Sequence, residues 1–251
     1  MPKNGCFIVF EGIEGSGKTT ASRNLQKYLT TKGYKATWTR EPTSSKIGSL
    51  IEDILRSETA VAEEAIPLLF AADRADHTKR VIVPAIKKGH IVISDRYVHS
   101  SLAYQKSGMG KAFKRDWLEK INKYAINPDL VIFLDVTPEE GLSRIGKWQR
   151  IHDDKFFEDM ETQKRIRDAY HEILNLNKPL TGLFDKTLLP SSSLSKVKAL
   201  SSVNSVTVVA VDASLDQEAI QNTINEIVQR FLRSQGIKKQ SEDEGPLSTL
   251  F

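Results

Sequence analysis

Short apolar runs recur along the chain, separated by longer stretches in which apolar positions return every three or four residues. Residues 6–10 (CFIVF), 36–39, 91–94, 130–135 (LVIFLD) and 206–211 (VTVVAV) have the near-continuous, β-branched character of strands buried on both faces of a parallel sheet. Residues 18–31, 60–88, 114–124 and 156–174 carry helical periodicity, and Pro84 is expected to interrupt or end the second of these. A last amphipathic helix is expected over 217–232, capped by Ser214 or Asp216. Strand–helix alternation predicts an α/β fold with a doubly wound, five-stranded parallel sheet flanked by helices, in one domain spanning 1–235. Two stretches break the rhythm. The serine-rich segment 185–205, with Pro190, is expected to be a long surface loop, and 236–251 has the composition of a disordered tail.

The chain has 251 residues, 27% charged and 39% hydrophobic, as expected of a soluble globular protein. A net charge of +4 points mildly toward anionic partners without separating nucleotides from nucleic acids. No block of like charges marks a nucleic-acid tail, so direct nucleic-acid binding is not expected. Cys6 is the single cysteine, which excludes an internal disulfide and suits a reducing compartment. No apolar segment reaches the roughly 18 residues of a membrane span, and the opening MPKNGCFIVFEG lacks a small-residue cleavage site, so a cytoplasmic protein is expected.

The chemistry enters with Gly12, Ile13, Glu14, Gly15, Ser16, Gly17, Lys18 and Thr19, followed by Thr20, between the first expected strand and helix. The spacing G-x-x-x-x-G-K-[ST] in that context predicts a P-loop NTPase that binds ATP. Glycines let successive N–H groups converge on phosphate oxygens, and the helix N-terminus adds its positive end. Lys18 would bridge the β- and γ-phosphates and Thr19 would help hold Mg²⁺. The loop alone does not separate a kinase from a GTPase or an ATPase.

Arg40 and Arg96 each fall just past a strand's C-terminal end, where open α/β sheets bind ligands. A guanidinium there either grips a phosphate with two parallel hydrogen bonds or pairs with a surface carboxylate. Asp95 either acts on Mg²⁺ at the strand tip or caps the following helix, and Glu41 is either a site residue or a solvated carboxylate. Glu14 places a negative charge among phosphates. Phe70 offers a ring to stack on a base or to fill the core, and Arg74 lies one helical turn on, within reach of a base carbonyl.

Four segments in order, FEGIEGSGKTT (10–20), TREP (39–42), LLFAADRADH (68–77) and DRYVHSSLAYQ (95–105), resemble the thymidylate kinase family over roughly residues 5–175. The resemblance implies Mg²⁺-dependent, in-line phosphoryl transfer from ATP to dTMP without a covalent enzyme intermediate, in a homodimer. It implies that Arg96 holds the monophosphate with Arg40 nearby, and that Glu14 meets the sugar 3′-hydroxyl or the metal. Ser100 is implied at the base and Tyr104 over the sugar, while Gln105 either contacts the base or supports a residue that does. With no arginine inside the phosphate loop, the resemblance assigns the catalytic cation to a lid near 143–156, where Arg144 and Arg150 are the candidates, ahead of Lys147. It also places Glu158 near the metal.

The family usually follows TREP with two glycines, but here Thr43-Ser44-Ser45 follow, so a stiffer segment is expected. The terminal PLSTLF resembles peptides that bind replication sliding clamps, but it has Glu244 where those carry glutamine. It packs back on the domain, has no role or, less favoured, binds such a clamp. Two other readings remain: a kinase of another deoxynucleoside monophosphate such as dUMP, and a P-loop NTP-binding protein without turnover. The absence of an N-K-x-D motif and the presence of 95–105 weigh against the latter.

Overall fold

The computed structural model describes residues 5–56, 61–107, 113–145, 159–176, 195–203 and 206–239. The run CFIVFE forms β1 (Cys6–Glu11) and LVIFLD forms β4 (Leu130–Asp135), and every residue of both is buried. β3 (Ile91–Asp95) is likewise fully buried, whereas β2 (Ala36–Arg40) is half-buried at one edge of the sheet. With β5 (Val197–Val203) and β6 (Val206–Asp212) the sheet has the order β2-β3-β1-β4-β6-β5.

The five expected strands are present and mutually parallel. A sixth joins them where a loop is expected, because β5 pairs antiparallel with β6 inside the serine-rich segment. The sequence obscures it: Val197 and Ala199 are buried on either side of exposed Lys198, a period-2 signal too short to stand out among serines.

The phosphate loop leads into α1 (Lys18–Thr31), and the chain then continues through β2, α2 (Lys46–Leu55) and α3 (Ala65–His77). The single helix expected over 60–88 is divided: α3 gives way to a π turn at Thr78–Ile82 and then to α4 (Val83–Lys87). Pro84 has no N–H to give to a carbonyl one turn back, and the widened turn re-registers the backbone without ending the helix. α5 (Val98–Ser107), α6 (Arg115–Ile121), α7 (Pro138–Arg144), α8 (Met160–Ile173) and α9 (Gln217–Ser234) complete the layers. Asp216 caps α9 by accepting from the Ala219 amide at 2.8 Å, which decides between the two expected caps. α1 packs against α9 and α5 against α8. Among the described residues no helix is long and apolar enough to cross a membrane.

Thr43 and Ser45 answer for the missing glycines after TREP. Asp73 of α3 accepts from the Thr43 amide at 2.8 Å and from the hydroxyls of Thr43 and Ser45 at 2.6 and 3.0 Å, while Ser45 caps α2. The segment is pinned, in line with the expected stiffness. The lid positions Lys147 and Arg150, the expected metal contact Glu158, residues 185–194 and the chain beyond 239 lie outside the described residues.

Candidate active site

β1 is central, and the chain turns to β3 on one side of it and to β4 on the other. The C-terminal ends of these strands therefore border a crevice. A cleft of about 1010 Å³ opens there. The phosphate loop forms its floor. Gly17, with φ +90°, begins α1 without a side-chain cap, so the first-turn amides of a helix, which have no intrahelical acceptor, are presented beside Lys18, Thr19 and Thr20 on the cleft wall. Gly15, with φ +70°, lies so close to α7 that a Cβ would stand 1.9 Å from the Gly141 carbonyl oxygen. Gly12 and Ile13 are buried beneath the loop; the Ile13 carbonyl accepts from Lys18 Nζ at 2.7 Å. Burial and then the neighbouring Arg96 charge push the Lys18 ammonium down to about 8, against the pull of Glu14, Asp95 and Glu11.

The turn after β3 is the second element of the floor. Arg96 holds φ +68°, a left-handed conformation that costs a non-glycine residue roughly 1 kcal/mol. Its surroundings fix it there: the Arg96 amide donates to Phe10 O at 2.9 Å and Ser94 Oγ donates to Arg96 O at 2.7 Å. Strain maintained in this way, at a cleft, marks a functional position. The turn aims the guanidinium at Glu14, with which it forms an ion pair, and at the hydroxyls of Ser100 and Tyr104, 3.3 and 3.2 Å away. Tyr104 also donates to Glu14 at 2.9 Å. Burial acts to raise the Glu14 carboxyl, but the charges of Arg96 and Lys18 outweigh it and hold the group at about 2.

Thr19 Oγ1 donates to Asp95 Oδ2 at 2.5 Å, and Asp95 Oδ1 is buried without a hydrogen-bond partner among the described residues. The helix-cap alternative for Asp95 is thereby replaced. Glu11 does that work instead: fully buried, it accepts from the amides of Tyr97 and Ser100 at 3.0 and 3.2 Å, from Ser100 Oγ at 2.6 Å and from the Tyr170 hydroxyl at 2.9 Å. Sequence reasoning missed Glu11, although a carboxylate closing the apolar run of β1 was a signal, since a buried charge requires partners.

Several expectations change in detail. Ser100 lines the cleft with its hydroxyl engaged by Glu11 and by Tyr170 at 2.8 Å, so it also braces the floor. Glu41 is not solvated but buried, accepting from Arg74 Nε at 2.8 Å and facing His77 Nδ1 at 2.9 Å. Arg74 is buried on the cleft wall, donating also to Asn122 at 2.5 Å, Ser101 at 2.9 Å and the Tyr97 carbonyl at 3.3 Å. Among the described residues only Nη1 keeps a further hydrogen unpartnered, so Arg74 is a fixed donor and not a free arm. Arg40 takes the carboxylate alternative, pairing with Glu52 at 2.6 Å, yet it still faces the cleft. Phe70 is half-buried on the same wall, beside Gln105, whose buried Oε1 has no hydrogen-bond partner among the described residues.

The opposite wall was not foreseen beyond Arg144. Arg144 ends α7, paired with Glu140 at 2.6 Å, and with Ile145 it shares this wall with Leu215 and Asp216 of the β6–α9 turn and Gln217, Ile220 and Gln221 of the first turns of α9. A turn leaving the C-terminal end of a parallel strand was the available signal for these residues.

Comparison with known proteins gives one consistent answer. The family model described as thymidylate kinase matches residues 10–183. A probable thymidylate kinase of Pyrococcus horikoshii is 41% identical over 177 residues, covering 68% of this chain and 84% of that protein. A probable thymidylate kinase of Methanococcus maripaludis strain C6 is 43% identical over 169 residues, covering 67% and 77%. The thymidylate kinase of Clostridium novyi is 36% identical over 198 residues, covering 72% of this chain and 96% of that protein.

Proposed function

The chain belongs to the thymidylate kinase family, and from that membership we propose how its residues divide the transfer of a phosphoryl group from ATP to dTMP. One observation carries the division: the cleft holds two anion grips, Lys18 with the start of α1, and Arg96 on the β3 turn. A nucleotide switch needs one grip; a kinase must hold two polyanions end to end and neutralise charge along the line between them. The acceptor takes the side of β2 and β3, with Arg40, Phe70, Arg74, Arg96, Tyr104 and Gln105. The loop is central, so the ATP nucleoside takes the other side, between Arg144–Ile145 and Leu215–Gln221.

A phosphate oxygen of dTMP is already a competent nucleophile at neutral pH, so the protein contributes position and charge and not a base. Lys18, released from Ile13 O, follows the β- and γ-phosphates, and Arg96 exchanges Glu14 for the acceptor phosphate. Arg144 sits at the root of the lid and supplies positive charge to the transferring group, with Arg150 as the further lid candidate. We infer that Mg²⁺ accompanies ATP. Thr19 Oγ1 and Asp95 Oδ1, which has no partner among the described residues, are the oxygens that would hold it, as a small hard cation prefers. When bound it neutralises phosphate charge. Glu158 remains a candidate third contact from the sequence alone.

For the base, Phe70 offers a stacking face, Arg74 Nη1 a donor and Gln105 Oε1 an acceptor for the N3–H of a pyrimidine. Glu14 and Tyr104, joined by a hydrogen bond, would meet the sugar. A homodimer is part of the proposal. It is supported by Leu50 of α2, Leu68 of α3 and Val81 of the π turn, which remain 42, 49 and 40% exposed; sedimentation tests it.

A coupled ADP-release assay with ATP–Mg²⁺ and a panel of monophosphates tests the whole. Turnover with dTMP at least about tenfold above dUMP, dCMP and dGMP is expected, since binding contacts of one or two kcal/mol give that discrimination. A dUMP preference would move the assignment to that kinase, and no turnover with any acceptor would remove it.

A further inference from the structure

The edge strand β5 has no part in the division above. Its pairing with β6 skips a residue between Val197↔Val211 and Ala199↔Ala210, which places Lys198 in a bulge. A bulge re-aims the side chain of its extra residue. Here Lys198 turns toward the C-terminal ends of β4 and β6: Nζ donates to the Asp135 carbonyl at 3.1 Å and lies 3.0 Å from Asp212 Oδ1 and 3.6 Å from Asp135 Oδ2.

Asp135 and Asp212 are register partners on adjacent parallel strands, so two carboxylates stand side by side there. Asp135 has another cation, receiving Arg167 through Nε at 2.8 Å and Nη2 at 3.1 Å, and His171 Nε2 lies 3.2 Å away. For Asp212 the described ion pair is the one with Lys198. The same Asp212 oxygen accepts from the amide and hydroxyl of Ser214 at 3.0 and 2.7 Å, shaping the turn that brings Leu215, Asp216 and Gln217 to the cleft. Asp135 ends the strand that leads into α7 and so to Arg144 and Ile145 on the same wall.

We propose that Lys198 is a positioning residue for ATP: it ties the tips of β4 and β6 together and so fixes the spacing between the two segments that enclose the ATP nucleoside. The proposal rests on the donor–acceptor division above. The bulged edge strand thereby gains a role in the site without touching substrate.

Titration calorimetry of the full chain, with ATP and dTMP measured separately, tests it. Lys198→Met is expected to weaken ATP binding about fivefold, the size of one partly exposed ion pair, with dTMP affinity unchanged and only a small fall in melting temperature. Lys198→Arg restores ATP affinity. In the Lys198→Met background, Asp212→Asn also restores it, because the uncompensated charge is gone. Unchanged ATP affinity in Lys198→Met, equal losses for both nucleotides, or no recovery in the double variant overturns the proposal. The two failures separate: dTMP turnover by the unmodified chain tests the kinase reading, and the ATP-specific loss tests Lys198.

Discussion

Glu14 and Arg96 form an ion pair across the cleft floor, with the Tyr104 hydroxyl bonded to both. The pair explains a carboxylate inside a phosphate loop. Before the acceptor arrives, Glu14 keeps a strained, half-buried arginine aimed, and although desolvation acts to lower the Arg96 pKa, the Glu14 charge holds it well above its ordinary value. Arg96→Ala is expected to lower kcat/KM for dTMP by about 10² to 10³, the cost of losing one preorganised charge donor. Arg96→Lys should recover little, because a point charge does not replace a two-pronged grip. Steady-state kinetics with dTMP varied, beside a melting curve, checks both; a variant with ordinary KM and kcat would sink the assignment.

Glu11 is the brace beneath that pair. Its two oxygens collect two amides and two hydroxyls with no exposure to solvent. In Glu11→Gln the amide nitrogen must face one of those donors, so about 2 kcal/mol of stability is expected to be lost. Weaker dTMP binding should accompany it, since the Arg96 turn is loosened. Urea unfolding measures the first effect and calorimetry the second. An unchanged unfolding midpoint would mean that the network carries no weight.

The floor of the site was legible in the sequence because its chemistry is local. Lys18 and Thr19 sit at fixed spacing in a strand–loop–helix, and Asp95 and Arg96 end a continuous apolar run. The walls were less so, because they are made by residues distant in the chain. Glu41, Arg74 and Asn122 meet from three separate elements, and no periodicity in any of them announces the others. β5 escaped because its alternating residues lie within a serine-rich segment. The π turn escaped because Pro84 reads as a helix end when only the lost hydrogen bond is considered.

Asp135 gives a pH dependence. Burial acts to raise its carboxyl, but bonds from His171 and Arg167 and the charges of Arg167 and Lys198 hold it at about 2, below its ordinary 3.8. A carboxylate depressed in the folded state adds stability above the unfolded pKa and loses it as pH falls through the folded one. Asp135 should therefore contribute about 2 kcal/mol at neutral pH, declining from about pH 4 toward pH 2. Urea unfolding at stepped pH checks this: the gap between the parent chain and Asp135→Asn should narrow across that window. A gap constant from pH 7 to 2 would rule out the depressed carboxyl.

Gln105 offers the sharpest test of base selection. Its Oε1 is buried on the acceptor wall without a hydrogen-bond partner among the described residues, and an unsatisfied buried carbonyl costs about 1–3 kcal/mol. Thymine and uracil present N3–H, which relieves that cost; cytosine presents a bare N3 acceptor, which compounds it. Gln105→Leu is therefore expected to narrow the dTMP-over-dCMP ratio of kcat/KM by about tenfold to a hundredfold. The dTMP-over-dUMP ratio should not move, because both bases carry the same N3–H and differ only by a methyl group. Measuring the three acceptors side by side separates the two effects. If both ratios shift together, Gln105 shapes the cleft without reading N3; if neither shifts, base choice lies with Phe70 and Arg74.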